Sequence, residues 1–137
     1  MKQSIKPDIW GPHGWKFMHY VTLGYPDHPT HNDKQNYKNF FQSLQNVLPC
    51  AKCAQNYKKN LNESPIDNNL ETRDHLVKWL IDIHNKVNLE TGKSEIPYEE
   101  ALSLYTNVSH PIIDHCFKLS VLVIILYFLY KLLGKKI

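Results

Sequence analysis

The sequence has few of the features that mark several common protein classes. Its 137 residues include only 3 cysteines, there is no second C-x-x-C pair, and the histidines are scattered. Because a structural zinc site takes four ligands, zinc is the less favoured interpretation of the one C-x-x-C, and we expect no metal. No segment alternates apolar and polar residues as a β-strand does, and there is no internal repeat. A hydrophobic content of 42% over this length fits one small domain.

Most of the chain carries no excess of positive charge. The 16 Lys+Arg and 13 Asp+Glu give a net charge of +3, but four of the basic residues and one acidic residue follow His110, so residues 1–110 are formally neutral. A domain that binds nucleic acid is expected to concentrate basic side chains on its folded part, where they neutralise phosphates. We therefore expect no nucleic-acid partner.

The one long apolar run lies near the C-terminus. Residues 119–130 are almost entirely apolar, with Lys118 and Lys131 at the two ends. The run is shorter than the ~20 residues of a spanning helix, but lysines can snorkel and extend it on either side. This pattern predicts a single-pass transmembrane anchor over residues 116–134, with a last core helix as the alternative.

This interpretation divides the chain into four parts. Residues 1–105 form the domain, 106–115 a linker, 116–134 the anchor and 135–137 a short basic tail. The N-terminal residues contain no apolar stretch of signal-peptide length, so we expect membrane localisation through the C-terminal helix alone.

Helical periodicity dominates the rest of the sequence, and Gly and Pro mark its breaks. We predict helices over residues 13–24, 32–47, 50–61, 71–89 and 98–104. The expected fold is all-α, a four-helix bundle with a short fifth helix.

The C-x-x-C pair, Cys50 and Cys53, comes straight after Pro49 at the predicted start of a helix. The orphan N–H groups and the positive dipole end of a helix N-terminus favour a thiolate, which is the form that attacks disulfides. A thioredoxin-type fold would place this motif after a strand, and none is predicted there. A redox pair in a helical domain is favoured, and a structural clip remains the alternative.

Two other helices carry candidate binding residues. Trp15 and His19 lie four residues apart on the first helix, and His84 and Asn88 do so on the fourth, with Asn85 beside them. Aromatic rings together with imidazole and amide hydrogen-bonding groups suit a large planar heteroaromatic ligand. If the bundle brings these two faces together, they form one pocket.

Four sequence elements together resemble the Erv/ALR family of FAD-linked sulfhydryl oxidases. They are "WGPHGW" continuing to "MH" at residues 10–19, "YP" at 25–26, "PCAKCAQNY" at 49–57 and "WLIDIHNKVNLETGK" at 79–93. The resemblance implies a helical bundle that binds FAD as a homodimer, with Cys53 next to the flavin and Cys50 exchanging with substrate. By position it also implies a set of FAD-binding residues: Gly11, Trp15, His19, Tyr57, His84, Asn85, Val87, Asn88 and Lys93.

The resemblance further implies the reaction. Protein dithiols, or a thioredoxin-like relay protein, would be oxidised to disulfides, and molecular oxygen would be reduced to hydrogen peroxide. Members without signal peptides occur in the mitochondrial intermembrane space and in large DNA viruses, and the Asn- and Lys-rich composition favours the viral branch. The membrane is then expected to be a host or viral one. The alternatives from other classes are a membrane-tethered helical interaction module and a flavin-free dithiol relay.

The sequence departs from the family pattern in two places. Where many members have a second, structural disulfide, this chain has Ile81 and Tyr98, so we expect that corner to be held by packing. Where members carry a distal shuttle pair of cysteines, this chain offers only Cys116. Substrate is therefore expected to reach Cys50 directly or through another protein.

Overall fold

The computed structural model describes residues 4–106 and Lys131, and within them the chain forms five α-helices and no strand. The all-α prediction is confirmed. The helices are α1 (Pro7–Leu23), α2 (His31–Val47), α3 (Ala51–Glu63), α4 (Arg73–Glu90) and α5 (Tyr98–Thr106), with a short 3-10 helix (Ile66–Asn69) between α3 and α4.

Helix α1 begins six residues earlier than the periodicity predicts. Pro7 occupies its first turn, where the fixed φ of proline suits a helix and the missing N–H has no helical partner to lose. Pro12 lies inside the helix and removes only one hydrogen bond, the one to the Asp8 carbonyl. Helix α1 therefore includes glycines and a proline that the sequence pattern treats as breaks.

The starts of α2 and α4 are fixed by side-chain caps. The Thr30 hydroxyl accepts a hydrogen bond from the Asp33 N–H, and the Asp33 carboxylate accepts one from the Thr30 N–H, which together form a capping box. Thr72 caps α4 by accepting from the His75 N–H at 3.2 Å.

The main core lies between α1, α2, α3 and α4. Two aromatic side chains of the core donate to backbone carbonyls: the Tyr25 hydroxyl donates to Leu70 at 2.9 Å, and the Trp79 indole donates to Ser64 at 2.9 Å. The core comprises Met18, Tyr25, Phe41, Tyr57, Leu61, Ile66, Leu70, Leu76, Trp79, Leu80 and Ile83.

A second, smaller cluster joins α4 to α5. Ile81 and Val77 are each 3% exposed, and partly buried Tyr98 and Ile96 pack against them. The expectation that packing holds the corner at Ile81 and Tyr98 is confirmed. This cluster fixes where α5 lies on α4.

The predicted anchor at residues 116–134 lies outside the described residues, apart from Lys131. Within the part of the chain that the structure covers, no helix has both the length and the apolar character needed to cross a membrane.

Candidate functional site

The C-x-x-C pair forms a disulfide at the N-terminus of α3. Cys50 and Cys53 are bonded, with their Cα atoms 5.2 Å apart. Cys50 is the N-cap residue of α3, and its sulfur accepts a hydrogen bond from the Cys53 N–H at 3.2 Å. The pair therefore lies where the helix N-terminus can stabilise negative charge on sulfur.

The two cysteine residues differ in exposure. Cys50 is 8% exposed, whereas Cys53 is partly exposed. Burial alone thus does not select Cys50 as the thiol that exchanges with substrate, and the assignment of the two roles stays a prediction.

Four aromatic side chains meet in a ring cluster, which we define as Trp15, His19, His84 and Tyr105. His19 is buried, and the other three are partly buried. The rings of Trp15 and His84 stack with centroids 3.9 Å apart and planes 8° apart. The rings of His19 and Tyr105 stack at 4.1 Å and 17°. The structure therefore brings together the predicted faces of α1 and α4 and adds a ring from α5.

The two histidines of the ring cluster are hydrogen-bonded to each other. His19 Nε2 and His84 Nδ1 lie 3.0 Å apart, so one ring nitrogen donates its proton to the other. Burial, followed by the nearby His84, lowers the pKa of His19 to about 3. Burial, followed by the charge of Lys93, lowers the pKa of His84 to about 4. Both imidazoles are therefore neutral at pH 7.

A small cavity adjoins the ring cluster. It encloses about 10 Å³ and is lined by His19, Ile81, His84, Asn85, Asn88, Ile96, Ala101, Leu104 and Tyr105. A larger cavity of about 250 Å³ lies between α2, α3 and the 3-10 helix, but its lining includes neither cysteine of the disulfide nor any ring of the cluster. The smaller cavity is the better candidate site because the predicted residues converge there.

Asn85 fixes the segment that closes this cavity. Its amide donates to the Ile96 carbonyl at 2.9 Å, and its side-chain oxygen accepts from the Ile96 N–H at 3.0 Å. Asn88 is 7% exposed and donates to the Asn85 oxygen at 3.4 Å. Its carbonyl accepts the Lys93 N–H at 2.8 Å. These bonds hold the loop after α4 against the helix.

Five of the predicted FAD-binding residues lie outside the cavity lining, and one of them, Trp15, belongs to the ring cluster instead. Tyr57 belongs to the main core, where its hydroxyl donates to the Phe41 carbonyl at 3.1 Å. The Val87 carbonyl accepts from Thr91, and a side chain at Gly11 would meet open space. Lys93 acts on the cluster through its charge near His84. Their assignment to the site stays a prediction.

Tyr105 is the site residue that the sequence analysis missed. The fifth helix was predicted to end at Leu104, whereas it extends to Thr106 and places Tyr105 on His19. The available signal was the helical spacing, since Tyr105 follows buried Ala101 by four residues.

The residues around the cavity are chemically suited to bind the flavin that the sequence resemblance implies. A flavin is planar and hydrogen-bonding, and the site offers stackable rings, two neutral imidazoles and the buried amide of Asn88. With a cavity of about 10 Å³, the stacked rings would have to separate to admit it.

Comparison with known proteins places this chain among relatives. A probable FAD-linked sulfhydryl oxidase of Acanthamoeba polyphaga mimivirus is 52% identical over 99 residues, covering 72% of this chain and 69% of that protein. The mitochondrial FAD-linked sulfhydryl oxidase ERV1 of Saccharomyces cerevisiae is 33% identical over 89 residues, covering 64% of this chain and 46% of that protein.

Solved structures and a family model agree with those relatives. The crystal structure of the yeast Erv1 core matches with a TM-score of 0.71 at 25% identity, covering 77% of this chain and 88% of that chain. Residues 12–106 match the model of the Erv1 / Alr family. Since that match covers more than half of the sequence, the chain belongs to the Erv1 / Alr family.

Proposed function

We propose that the chain is a FAD-linked sulfhydryl oxidase, which forms disulfide bonds in protein thiols and reduces molecular oxygen to hydrogen peroxide. The observation that carries the proposal is the Cys50–Cys53 disulfide at a helix N-terminus, in a domain that also holds a ring cluster with two neutral imidazoles. Relatives named as FAD-linked sulfhydryl oxidases support it.

The disulfide performs the exchange with substrate. A substrate thiolate attacks the Cys50 sulfur, the Cys50–Cys53 bond breaks, and Cys53 leaves as a thiolate. A second substrate thiolate then attacks the substrate sulfur of the mixed disulfide and releases Cys50. The substrate loses two electrons and two protons, and the cysteine pair gains the two electrons. Because the Cys53 N–H points at the Cys50 sulfur, it stabilises Cys50 as this leaving group.

The ring cluster would hold the cofactor. When bound, FAD would supply an acceptor for the two electrons of the dithiol, and oxygen can reoxidise this acceptor. Trp15 and Tyr105 offer ring faces, and His19, His84 and Asn88 offer uncharged donors and acceptors. The low pKa of both histidines, which follows chiefly from burial, keeps both imidazole rings uncharged at pH 7.

Two measurements test the proposal. The purified protein should absorb at about 450 nm, as oxidised flavins do. It should also consume thiol and oxygen and release one hydrogen peroxide for each disulfide formed. A colourless protein that still exchanges disulfides would instead be a dithiol relay, and a colourless protein without thiol chemistry would be an interaction module.

An exposed apolar face on α1 supports a homodimer. Ile9, Phe17 and Tyr20 are 64%, 59% and 41% exposed, and their spacing places them on one side of the helix. Such a face on a soluble domain is typical of a protein–protein contact. Sedimentation of the wild type and of Phe17→Glu tests it: the wild type should be a dimer and the variant a monomer.

Membrane attachment through residues 116–134 completes the proposal. Its support is the apolar run between Lys118 and Lys131, with tyrosines near one end. The full chain should float with lipid vesicles, and a chain that ends at residue 115 should not. The membrane would be that of a host cell or a virus particle. Equal flotation of the two chains would contradict the anchor.

A further inference from the structure

The segment between α2 and α3 is extended where it meets the disulfide. Leu48 has φ −52° and ψ 135°, and Cys50 has φ −150° and ψ 114°. Extended backbone directs its carbonyl and N–H groups sideways, where another extended chain can pair with them. The disulfide thus adjoins a short backbone edge.

The N-terminus of the chain already pairs with this edge. The Ile5 N–H donates to the Pro49 carbonyl at 2.7 Å, and the Ile5 carbonyl accepts from the Trp10 indole at 3.3 Å. The Ile5 side chain is 43% exposed. Ile5 is therefore held largely through its backbone. Any residue with a backbone N–H could make the same hydrogen bond to the Pro49 carbonyl.

The surroundings of Cys50 suit a polypeptide. Val47, two residues before Pro49, is 63% exposed and gives the edge an apolar flank. Cys50 itself is only 8% exposed, so a substrate must approach it in a defined way. Pro49 has no N–H, so this residue can accept a main-chain hydrogen bond but cannot donate one.

We propose that the Pro49 carbonyl is a docking point for the main chain of the substrate: an extended segment that carries the reacting cysteine displaces Ile5 and donates its own backbone N–H to Pro49. Affinity then comes from the substrate's backbone, as in strand addition to a sheet edge. This inference rests on the proposed function, and docking precedes the exchange at Cys50 without altering its balance of electrons and protons.

The test uses thiols with and without a main chain. The probe is the reduced peptide acetyl-Val-Ala-Cys-Ala-Val-amide, with analogues N-methylated at the cysteine or at either alanine, and dithiothreitol as reference. The rate of reduction of the Cys50–Cys53 disulfide is measured without oxygen. N-methylation at one of these positions should lower the rate roughly 2- to 12-fold, which is the value of one hydrogen bond. Equal rates for all analogues would overturn the docking point.

Variants of the N-terminal segment give an independent test. Ile5→Pro removes the donor to Pro49, and we expect the peptide rate to rise while the dithiothreitol rate stays unchanged. Lys6→Pro is the matched control, since Lys6 has φ −57° and ψ 130°, which proline adopts, and Ile5 keeps its N–H. No peptide-specific increase, or an equal increase with dithiothreitol, would contradict docking.

The two proposals fail separately. Normal anaerobic exchange without oxygen consumption would disprove the oxidase and leave the docking result standing. Turnover of dithiothreitol with oxygen, but without an effect of peptide N-methylation, would disprove the docking point and leave the oxidase.

Discussion

Helix α4 has two buried faces of different chemistry. One face places Leu76, Leu80 and Ile83, each 0% exposed, in the main core. The adjacent face carries His84, Asn85 and Asn88 to the cavity. Packing of the first face removes apolar surface from water. The second face keeps polar side chains that can form hydrogen bonds to a ligand.

This difference separates the residues that determine stability from those that determine binding. Stacked rings, the imidazole–imidazole bond and the hydrogen bonds of Asn85 and Asn88 hold the cavity face, while tight apolar packing holds the core face. We therefore expect substitutions on the core face to act on unfolding and those on the cavity face to act on flavin.

The largest expected effect lies on neither face. Cys53→Ser should abolish turnover, by on the order of 10³-fold or more, because a covalently acting residue cannot be replaced. The flavin content and melting temperature should stay near those of the wild type, since the cavity lining does not include Cys53. Thiol oxidation, flavin absorbance and thermal unfolding check this. Loss of flavin from a well-folded variant would show that α3 also builds the pocket.

Leu80→Ala should produce the largest change in stability. The side chain is fully buried, so its truncation should lower the free energy of unfolding by about 2–5 kcal/mol. Leu89→Ala on the same helix is the control: its side chain is 56% exposed, and the expected change is within about 0.5 kcal/mol. Urea unfolding measures both. Equal effects of the two substitutions would contradict the distinction between the core face and the rest of α4.

His84→Ala and Asn88→Ala should act chiefly on flavin. Each would leave a buried polar group of the cofactor unpaired, which costs about 1–3 kcal/mol, or roughly 5- to 150-fold in affinity. Both variants should therefore purify with less flavin and melt at a lower temperature, and added FAD should restore part of both.

The control for this prediction is His75→Ala, an exposed histidine on the same helix. It should keep its flavin. Full flavin content and unchanged melting in both His84→Ala and Asn88→Ala would place the cofactor outside the ring cluster.

The sequence predicted these two faces well because a helix has one period. The helical spacing of the apolar residues of α4 predicts one core stripe: Leu76, Trp79, Leu80, Ile83 and Val87. The first four lie in the main core, whereas Val87 is only partly buried. His84 was expected to meet Trp15 and does so. Once the helix is recognised, the spacing of its residues is sufficient to predict which of them share a face.

Contacts that depend on the path of the chain between helices were not predictable. The bonds from Asn85 to Ile96 span 11 residues and a loop, and the low exposure of Cys50 depends on how other segments pack around it. Tyr105 was missed because a short helix has a boundary uncertain by a few residues. Residue type alone had predicted a site role for Asn85, but only the structure shows its bonds to the backbone.

The smallest expected effect is a pH dependence that comes from the cavity face alone. Burial lowers the pKa of His19 from its ordinary 6.5 to about 3 and that of His84 to about 4. Well above pH 6.5 both histidines are neutral in the folded and unfolded states and contribute no pH dependence. Below pH 6.5 the unfolded chain binds protons that the folded chain does not, so the free energy of unfolding falls with pH until the folded-state pKa values are reached.

Urea unfolding of the flavin-free domain between pH 7 and pH 5.5 measures this effect. Each histidine can contribute at most about 1.4 kcal/mol per pH unit. Since His84 is partly accessible to solvent, we expect a total loss of about 1–2 kcal/mol. Removing one titrating ring with His84→Gln should reduce the slope, whereas Leu80→Ala should lower stability equally at every pH and leave the slope unchanged. A wild-type stability that is constant from pH 7 to pH 5.5 would show that the two imidazoles are not held neutral by the fold.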